Sequence, residues 1–328
     1  MIKALITGAG AVLGQGIIKA LRRSSLPVEI LAADPNPLST GLFWADKGYR
    51  IPLANEPGYM DRITDILETE RPDILLVGTD VELAAFAKHR EALEAGFGTR
   101  IVVSRPEVIA IADDKYRTFQ FLDEVGLHPP LSALPEDEGA LGRLVEAVGF
   151  PLIVKPRVGA RSVGVSIASD EEGLRQALQG RSGLVVQECV GGPDAEYTSS
   201  VLVFHERPLA SIVMRRDLRD GNTYRAYAES YEELNAFVRQ AGAALDPYGP
   251  ANFQFRTDAR GRPRVFEINA RFSGATPLRA LVGFNEVEMC IRKILFDEDI
   301  VQPSVQPATI LRHLSETLVT QDDLERIR

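Results

Sequence analysis

Cysteine is scarce in this chain, two residues in 328, and neither Cys189 nor Cys290 has a partner at metal-ligand spacing. Both read as incidental thiols, and the expected setting is a reducing, cytoplasmic one. Histidine is equally thin. His89, His128, His205 and His313 show neither zinc spacing nor pairing with a nucleophile, so no zinc site and no catalytic triad is expected. Long apolar runs are missing: no segment approaches the ~18 consecutive apolar residues of a membrane span. The opening MIKALITGAG runs straight into a strand pattern, without a charged and apolar leader. Positive charge is short as well, with 37 Lys and Arg against 46 Asp and Glu and a net charge of -9. Such a surface repels phosphate backbones and anionic lipid, so neither nucleic acid nor membrane is expected as a partner.

What is present reads as folded throughout. The 328 residues suffice for two or three compact units, and 45% hydrophobic with 25% charged residues is ordinary globular composition. In the first third, apolar runs over 3–7, 29–33, 73–77 and 100–104 alternate with helical patterns over 15–21, 59–70 and 81–95. That alternation predicts an α/β unit with a parallel sheet, residues 1–113. A helix opens at Asp113 and Asp114, which suit a cap, and ends near Gly126 ahead of Pro129 and Pro130. Strands over 152–155, 163–167 and 184–188 with a helix over 171–178 make a small α+β module, 114–187. The last unit, 188–328, carries strands over 197–204 and 208–214, a helix over 231–245 and a hairpin over 251–270.

The turn TGAGAVLG, residues 7–14, with Asp34 after the second strand, approximates a dinucleotide fingerprint in a variant spacing. It supports one reading of the chain, an NAD(P)-dependent oxidoreductase or epimerase.

A sharper pattern is NFQFRTDARGRPRVFEINARFSG, residues 252–274. Two alternating runs flank a turn at Arg260-Gly261, which pairs Asn252 with Asn269, Gln254 with Glu267, Phe253 with Ile268 and Phe255 with Phe266. One face then collects Asn252, Gln254, Glu267, Asn269 and, one step on, Arg271. Carboxylate and amide oxygens suit Mg²⁺ together with substrate phosphates, and a guanidinium beside them suits a phosphoryl group in transfer. Alternation alone also fits a hairpin with one solvated face. Paired Asn and Gln, and the Ser273-Gly274 turn after Arg271, favour a ligand.

On these residues the chain resembles the ATP-grasp superfamily, in particular the branch with the carbamoyl phosphate synthetase large subunit and the pyrrolysine-pathway ligase. The resemblance implies an ATP-grasp fold behind an N-terminal Rossmann-like domain that usually binds no dinucleotide. It implies that Gln254, Glu267 and Asn269 hold magnesium and that Arg271 contacts the transferred phosphoryl group. Lys115, in DDKYRTFQFLDEVGLHPP, and Lys155, in PLIVKP, match the two ATP lysines. RVGARSVGV, residues 157–165, resembles the flexible phosphate lid, with Arg161, Ser162 and Gly164 at the phosphates beside Gly159. In VVQECVGG, Glu188, Cys189 and Val190 would read adenine through their backbone, and Glu196 would take the ribose hydroxyls. Two positions depart from the pattern: Ala160 replaces a common glycine, and Gln187 a common glutamate.

The implied reaction is ADP-forming, carboxylate–amine ligation. Its cofactors would be ATP and Mg²⁺, with Mn²⁺ an allowed substitute, and its partners a small carboxylate, an amine and a second copy of the chain in a homodimer. A non-catalytic nucleotide-binding protein is a further reading, against which the intact Lys155, Glu267, Asn269 and Arg271 count. For the acceptor carboxylate the sequence offers Arg216 or Arg225, within RRDLRDGNTYRAY, residues 215–227.

Overall fold

The computed structural model describes residues 1–159 and 162–328. The chain opens with β1 (Ile2–Ile6), α1 (Val12–Leu21), β2 (Val28–Asp34), α2 (Thr40–Trp44), β3 (Lys47–Arg50), α3 (Tyr59–Glu70), β4 (Ile74–Leu76), α4 (Asp80–Phe97) and β5 (Arg100–Val102). The five strands form one parallel sheet in the order β3-β2-β1-β4-β5. Helices cover both faces, which is why β1 and β4 are nearly continuous apolar runs, with Leu5, Ile6, Leu75 and Leu76 fully buried. Strand β3 was not legible, because KGYR carries little apolar pattern. Its edge is closed instead by the chain's end: Arg50 N donates to Arg328 O at 2.7 Å and Arg328 N to Gly48 O at 3.0 Å.

Next come α5 (Pro106–Asp113), α6 (Lys115–Glu124), β6 (Ser132–Ala133), α7 (Glu138–Val148), β7 (Leu152–Pro156), β8 (Ser166–Ala168), α8 (Glu171–Leu178) and β9 (Leu184–Glu188). Asp114 caps α6, its carboxylate accepting from Tyr116 N at 2.9 Å. Strands β6-β9-β7-β8 make a four-stranded antiparallel sheet. This unit has a core of its own, built on Leu144, Leu152, Val154 and Val186. Helix α6 packs elsewhere, against α5 and the later β14 (Pro263–Asn269). Strand β8 is shorter than expected, since Ser162 to Gly164 turn with positive φ at both ends before it begins.

The rest is β10 (Glu196–Phe204), β11 (Arg207–Arg219), β12 (Asn222–Ala228), α9 (Glu232–Leu245), β13 (Gly249–Thr257), β14, α10 (Thr276–Leu281), α11 (Glu286–Phe296), β15 (Ala308–Leu311) and α12 (Gln321–Glu325). Their sheet is antiparallel in the order β14-β13-β10-β11-β12-β15. The arginine-rich stretch, residues 215–227, lies in the β11–β12 hairpin. Two cores run from the parallel sheet into this one, the first joining Leu5 and Leu75 to Val201 and Phe253, the second joining Ile6 and Leu76 to Leu202 and Phe272. Among the described residues, no helix is long and apolar enough to cross a membrane.

The β13–β14 register matches expectation for Asn252–Asn269, Phe253–Ile268 and Gln254–Glu267, then shifts between Gln254 and Phe255. Phe255 therefore faces Val265 and not Phe266. A bulge has no signature in an alternating pattern. Its effect is to retain Val265 in the core and turn Phe266 out toward the cleft described next.

Candidate functional site

Between the four-stranded sheet and the β13–β14 face lies a cleft of about 1020 Å³ of empty space including its open mouth, enough for a nucleotide-sized molecule. Of the residues singled out from sequence, Lys115, Lys155, Ser162, Glu188, Cys189, Val190, Glu196, Gln254 and Glu267 line it. Gly164 sits beside it, with its carbonyl taken by Arg181. Arg161 falls outside the described residues.

Lys155 is the last residue but one of β7 and is buried. Its Nζ donates to the Gln187 amide oxygen at 2.7 Å and to Phe266 O at 3.3 Å, and lies 5.5 Å from the Phe266 ring centre. Burial pulls its pKa down to about 7; Lys115 and Arg256 push the same way, against attraction from Glu267. A glutamate at 187 would have supplied a counter-ion. The neutral amide leaves the ammonium short of negative charge, so an anion entering the cleft meets a desolvated cation. Lys115 Nζ reaches over to Gly159 O at 2.6 Å, at the root of the 157–165 loop.

The strand end at Glu188 is fixed by its own side chain, which accepts from Leu131 N at 3.0 Å and Arg264 Nη2 at 2.7 Å. Among the described residues the backbone N–H groups of Cys189 and Val190 have no protein acceptor, so both are available to a ligand. Ile153, Val165, Leu218 and Phe266 give the cleft its apolar lining.

Glu196 does not stand as expected. Its Oε1 accepts from Arg216 Nε at 3.2 Å and Nη2 at 2.8 Å, its Oε2 from Arg256 Nε at 3.0 Å and Nη2 at 2.8 Å. Four donors saturate two carboxylate oxygens, so in this arrangement Glu196 has no lone pair to offer ribose hydroxyls. Arg216 also donates to Gln254 Oε1 at 2.7 Å and lines the same cleft. Arg225 is half-exposed and 3.7 Å from Asp217.

At the metal face, Glu267 Oε1 accepts from Gln254 Nε2 at 3.3 Å and Asn269 Nδ2 at 3.1 Å. Glu267 Oε2 has no hydrogen-bond donor among the described residues. The amide oxygen of Gln254 is turned to Arg216, so the free hard donor of this face is the Glu267 carboxylate. One carboxylate facing a phosphate-sized space fits Mg²⁺, which commonly takes one or two carboxylates and completes its shell with phosphates and water. Asn252 is buried, bonded to Thr198 Oγ1 at 2.9 Å, and braces the strands instead. Asn269 Oδ1 accepts from Arg271 Nη2 at 2.8 Å, and Arg271 forks onto Asp80 of α4 at 2.7 and 3.0 Å. Asn269 and Arg271 thus sit beside the cleft, where the parallel-sheet unit meets the hairpin.

The glycine turn of residues 7–14 is filled by the protein itself. Asp34 accepts from Gly10 N at 2.7 Å, Asn36 N at 3.0 Å and Ser39 Oγ. A Cβ on Gly10 would lie 2.2 Å from Ser39 Oγ, and one on Gly14 2.2 Å from Gly8 O. The glycines permit close packing, and the Asp34 carboxylate is engaged by the protein's own donors.

Two residues that sequence reasoning passed over were within its reach. Arg256 and Ile153 lie two positions from Gln254 and Lys155, on the same strand faces. Phe266 was not, because only the bulge brings it there.

Comparison with known proteins agrees with this geometry. Residues 4–102 match the PylC-like N-terminal domain, 112–230 the RimK-like ATP-grasp domain, and 182–317 the family described as ATP-grasp in the biosynthetic pathway with Ter operon. The carbamoyl phosphate synthase large chain of Methanosarcina mazei is 28% identical over 54% of this chain and 17% of its own length. That of Thermus thermophilus is 25% identical over 84% of this chain and 29% of its own. The chain thus spans less than a third of either relative. Among solved structures, N5-carboxyaminoimidazole synthetase from Staphylococcus aureus complexed with ADP superposes with a TM-score of 0.77 at 14% identity, over 95% of this chain and 82% of that one. The L-amino acid ligase of Bacillus licheniformis gives 0.69 at 20% identity, over 94% and 78%. With the sheet order, the cleft and the ordered landmarks Lys115, Lys155 and Glu267 all in place, the chain belongs to the ATP-grasp superfamily.

Proposed function

We propose that this protein transfers the terminal phosphoryl group of ATP to a substrate carboxylate and joins the resulting acyl phosphate to an amine or ammonia. A carboxylate oxygen takes the phosphoryl group as ADP leaves. The amine nitrogen then attacks the acyl carbon, the C–N bond forms, phosphate departs and the nitrogen loses a proton. The observation that supports this best is Lys155, a desolvated ammonium facing a neutral amide across from Glu267. It gives the cleft a demand for a polyanion that surrounding protein groups do not meet.

Such chemistry asks a protein for positioning and charge neutralisation more than for covalent steps. Lys155 and Lys115 would hold phosphate oxygens, and the free N–H groups of Cys189 and Val190 would orient the base. Magnesium, when bound, would offset charge on the transferring phosphoryl group, with Glu267 holding it and Gln254 and Asn269 keeping that carboxylate oriented. Arg271, released from Asp80, would carry the developing charge of the acyl phosphate.

The test is ADP release over a panel of amino acids and small carboxylates paired with amines. Glu267→Ala should lower turnover roughly 100- to 1,000-fold, in line with loss of one preorganised electrostatic contact, while the circular dichroism spectrum is unchanged. Normal turnover in that variant would sink the assignment.

A further inference from the structure

The four-stranded unit joins the rest of the chain at two crossings, residues 128–131 before β6 and residues 188–190 after β9. One side chain of β14 holds both. Arg264 Nε donates to His128 O at 2.8 Å and its Nη2 to Pro129 O at 3.0 Å, on the incoming crossing. The same Nη2 donates to Glu188 Oε2 at 2.7 Å, on the outgoing one. That Glu188 oxygen also accepts from Leu131 N at 3.0 Å, while Glu188 N donates to Leu131 O at 2.8 Å. A single guanidinium thus stitches the crossings to each other and to the hairpin. The side chains of Arg264 and Glu188 are only 15% and 20% exposed, so water screens their attraction weakly.

The backbone on the incoming side bears the mark of being held. His128 has φ of 46°, in the left-handed region, although it is not a glycine and stands before a proline, where extended backbone is favoured. Such a conformation persists where its surroundings fix it. Here its own carbonyl and the next one are both taken by Arg264. The planar fork of an arginine can reach three acceptors at set angles, whereas a lysine offers one point charge. The four-stranded unit has its own core, so polar ties contribute to its seating over the hairpin. Lys155 donating to Phe266 O at 3.3 Å and Arg157 to Asp114 at 3.1 Å tie the end with the phosphate lysine. Arg264 ties the other end, and its partner Glu188 is the residue immediately before Cys189 and Val190, whose N–H groups open onto the cleft.

We propose that Arg264 is a positioning residue for base recognition: by pinning both crossings to β14, it aligns the Cys189 and Val190 N–H groups with the purine base of the nucleotide. This rests on the ligase reading above and deepens it, because it assigns the group that sets base selectivity without touching the nucleotide. Hydrogen bonds weaken steeply once bent or stretched, so an amide pair reading a flat base tolerates little displacement. The phosphates are held by other residues. Loosening the Arg264 tie should therefore be felt at the base and spare the phosphates.

The experiment titrates the full chain, with magnesium, against a non-hydrolysable ATP analogue and, separately, against inorganic tripolyphosphate, which has the phosphates and no base. Arg264→Met should raise Kd for the ATP analogue roughly 10-fold, as for loss of one charged hydrogen bond, and leave that for tripolyphosphate within about twofold. A general loss of structure would weaken both ligands together, and that result, or an unchanged ATP Kd, overturns the proposal. Glu188→Ala should weaken ATP in the same selective way. Because both side chains act through one strand end, the double variant should bind ATP within about twofold of Arg264→Met alone; multiplied effects would refute the shared tie. Should Arg264→Met not fold, Arg264→Lys, with the charge kept and the fork lost, takes its place. Amide hydrogen exchange on the ligand-free proteins gives a second readout. Peptides covering 128–132 and 187–190 should exchange roughly 10-fold faster in the variant, while 152–154 in the core of the unit does not change. Equal exchange at the crossings refutes the role of Arg264. If the wild type binds neither ligand, the ligase reading fails, and exchange still judges the tie.

Discussion

Lys155 and Gln187 meet on neighbouring strands, the ammonium donating to the amide oxygen at 2.7 Å, with no carboxylate among the described residues in that hydrogen-bonding shell. Burial governs the proton on Lys155, and the neutral partner leaves that burial unopposed by a hydrogen-bonded carboxylate. The folded pKa of about 7 lies below the ordinary lysine value. Between those two values the unfolded chain holds more protons than the folded one. The burden of a buried ammonium is therefore full below about pH 7 and is relieved as pH rises toward the unfolded value. This group alone makes stability increase with pH across that window.

A triphosphate reverses the balance. Placed against Lys155 it raises the pKa, so binding above pH 7 must take up about one proton and weaken by up to roughly tenfold per pH unit. Calorimetric titration of the nucleotide near pH 8, in two buffers of different ionisation enthalpy, reads the proton directly. Absence of any uptake would contradict the role given to Lys155.

Gln187→Glu should remove the effect. A carboxylate at the same position favours the charged form of Lys155, lifts its pKa and flattens both pH dependences, that of stability and that of nucleotide affinity. Thermal melts from pH 6.5 to 9 compare the two proteins. Parallel curves would mean that burial, and not the missing counter-ion, sets the shift.

How far the sequence spoke can be judged residue by residue. Helices 59–70 and 171–178 and strand 184–188 were readable to the residue. Their apolar periods are strong, and Asp170 provides a local cap. The polar face of the last hairpin was readable because alternation fixes which side chains share it. Phe266 escaped because one extra residue reverses the alternation. The partners of Glu196 were hidden for another reason: Arg216 and Arg256 arrive from other strand positions, and only the sheet order shows that both fork onto it. Strand β3 pairs with β2 on one side and with residue 328 on the other, partners that no local pattern can announce.

The saturation of Glu196 has a measurable consequence. Glu196 and Arg216 are both nearly buried, at 7% side-chain exposure each. Removing one member of such a pair strands the other charge, so Glu196→Ala should destabilise the fold by about 3 kcal/mol, read as a lower midpoint in urea. A carboxylate that merely awaited ribose would be released at little cost, and an unchanged midpoint would restore that view.

The glycine turn near the N-terminus yields the last expectation. Its glycines are packing positions whether or not the turn holds a ligand. A methyl group on Gly14 would stand 2.2 Å from Gly8 O, against backbone that cannot swing aside, and 2.9 Å from Ala9 Cα. Gly14→Ala should therefore lose about 1 to 3 kcal/mol of stability through overpacking. Because the parallel sheet shares its cores with the body, that loss should appear in one cooperative transition shared by both. The four-stranded unit has a separate core, so ATP affinity in the surviving folded fraction should move little. NADH fluorescence should be unaltered by either the wild type or the variant. A saturable NADH signal that Gly14→Ala abolishes without lowering the melting temperature would return the turn to the role its spacing first suggested.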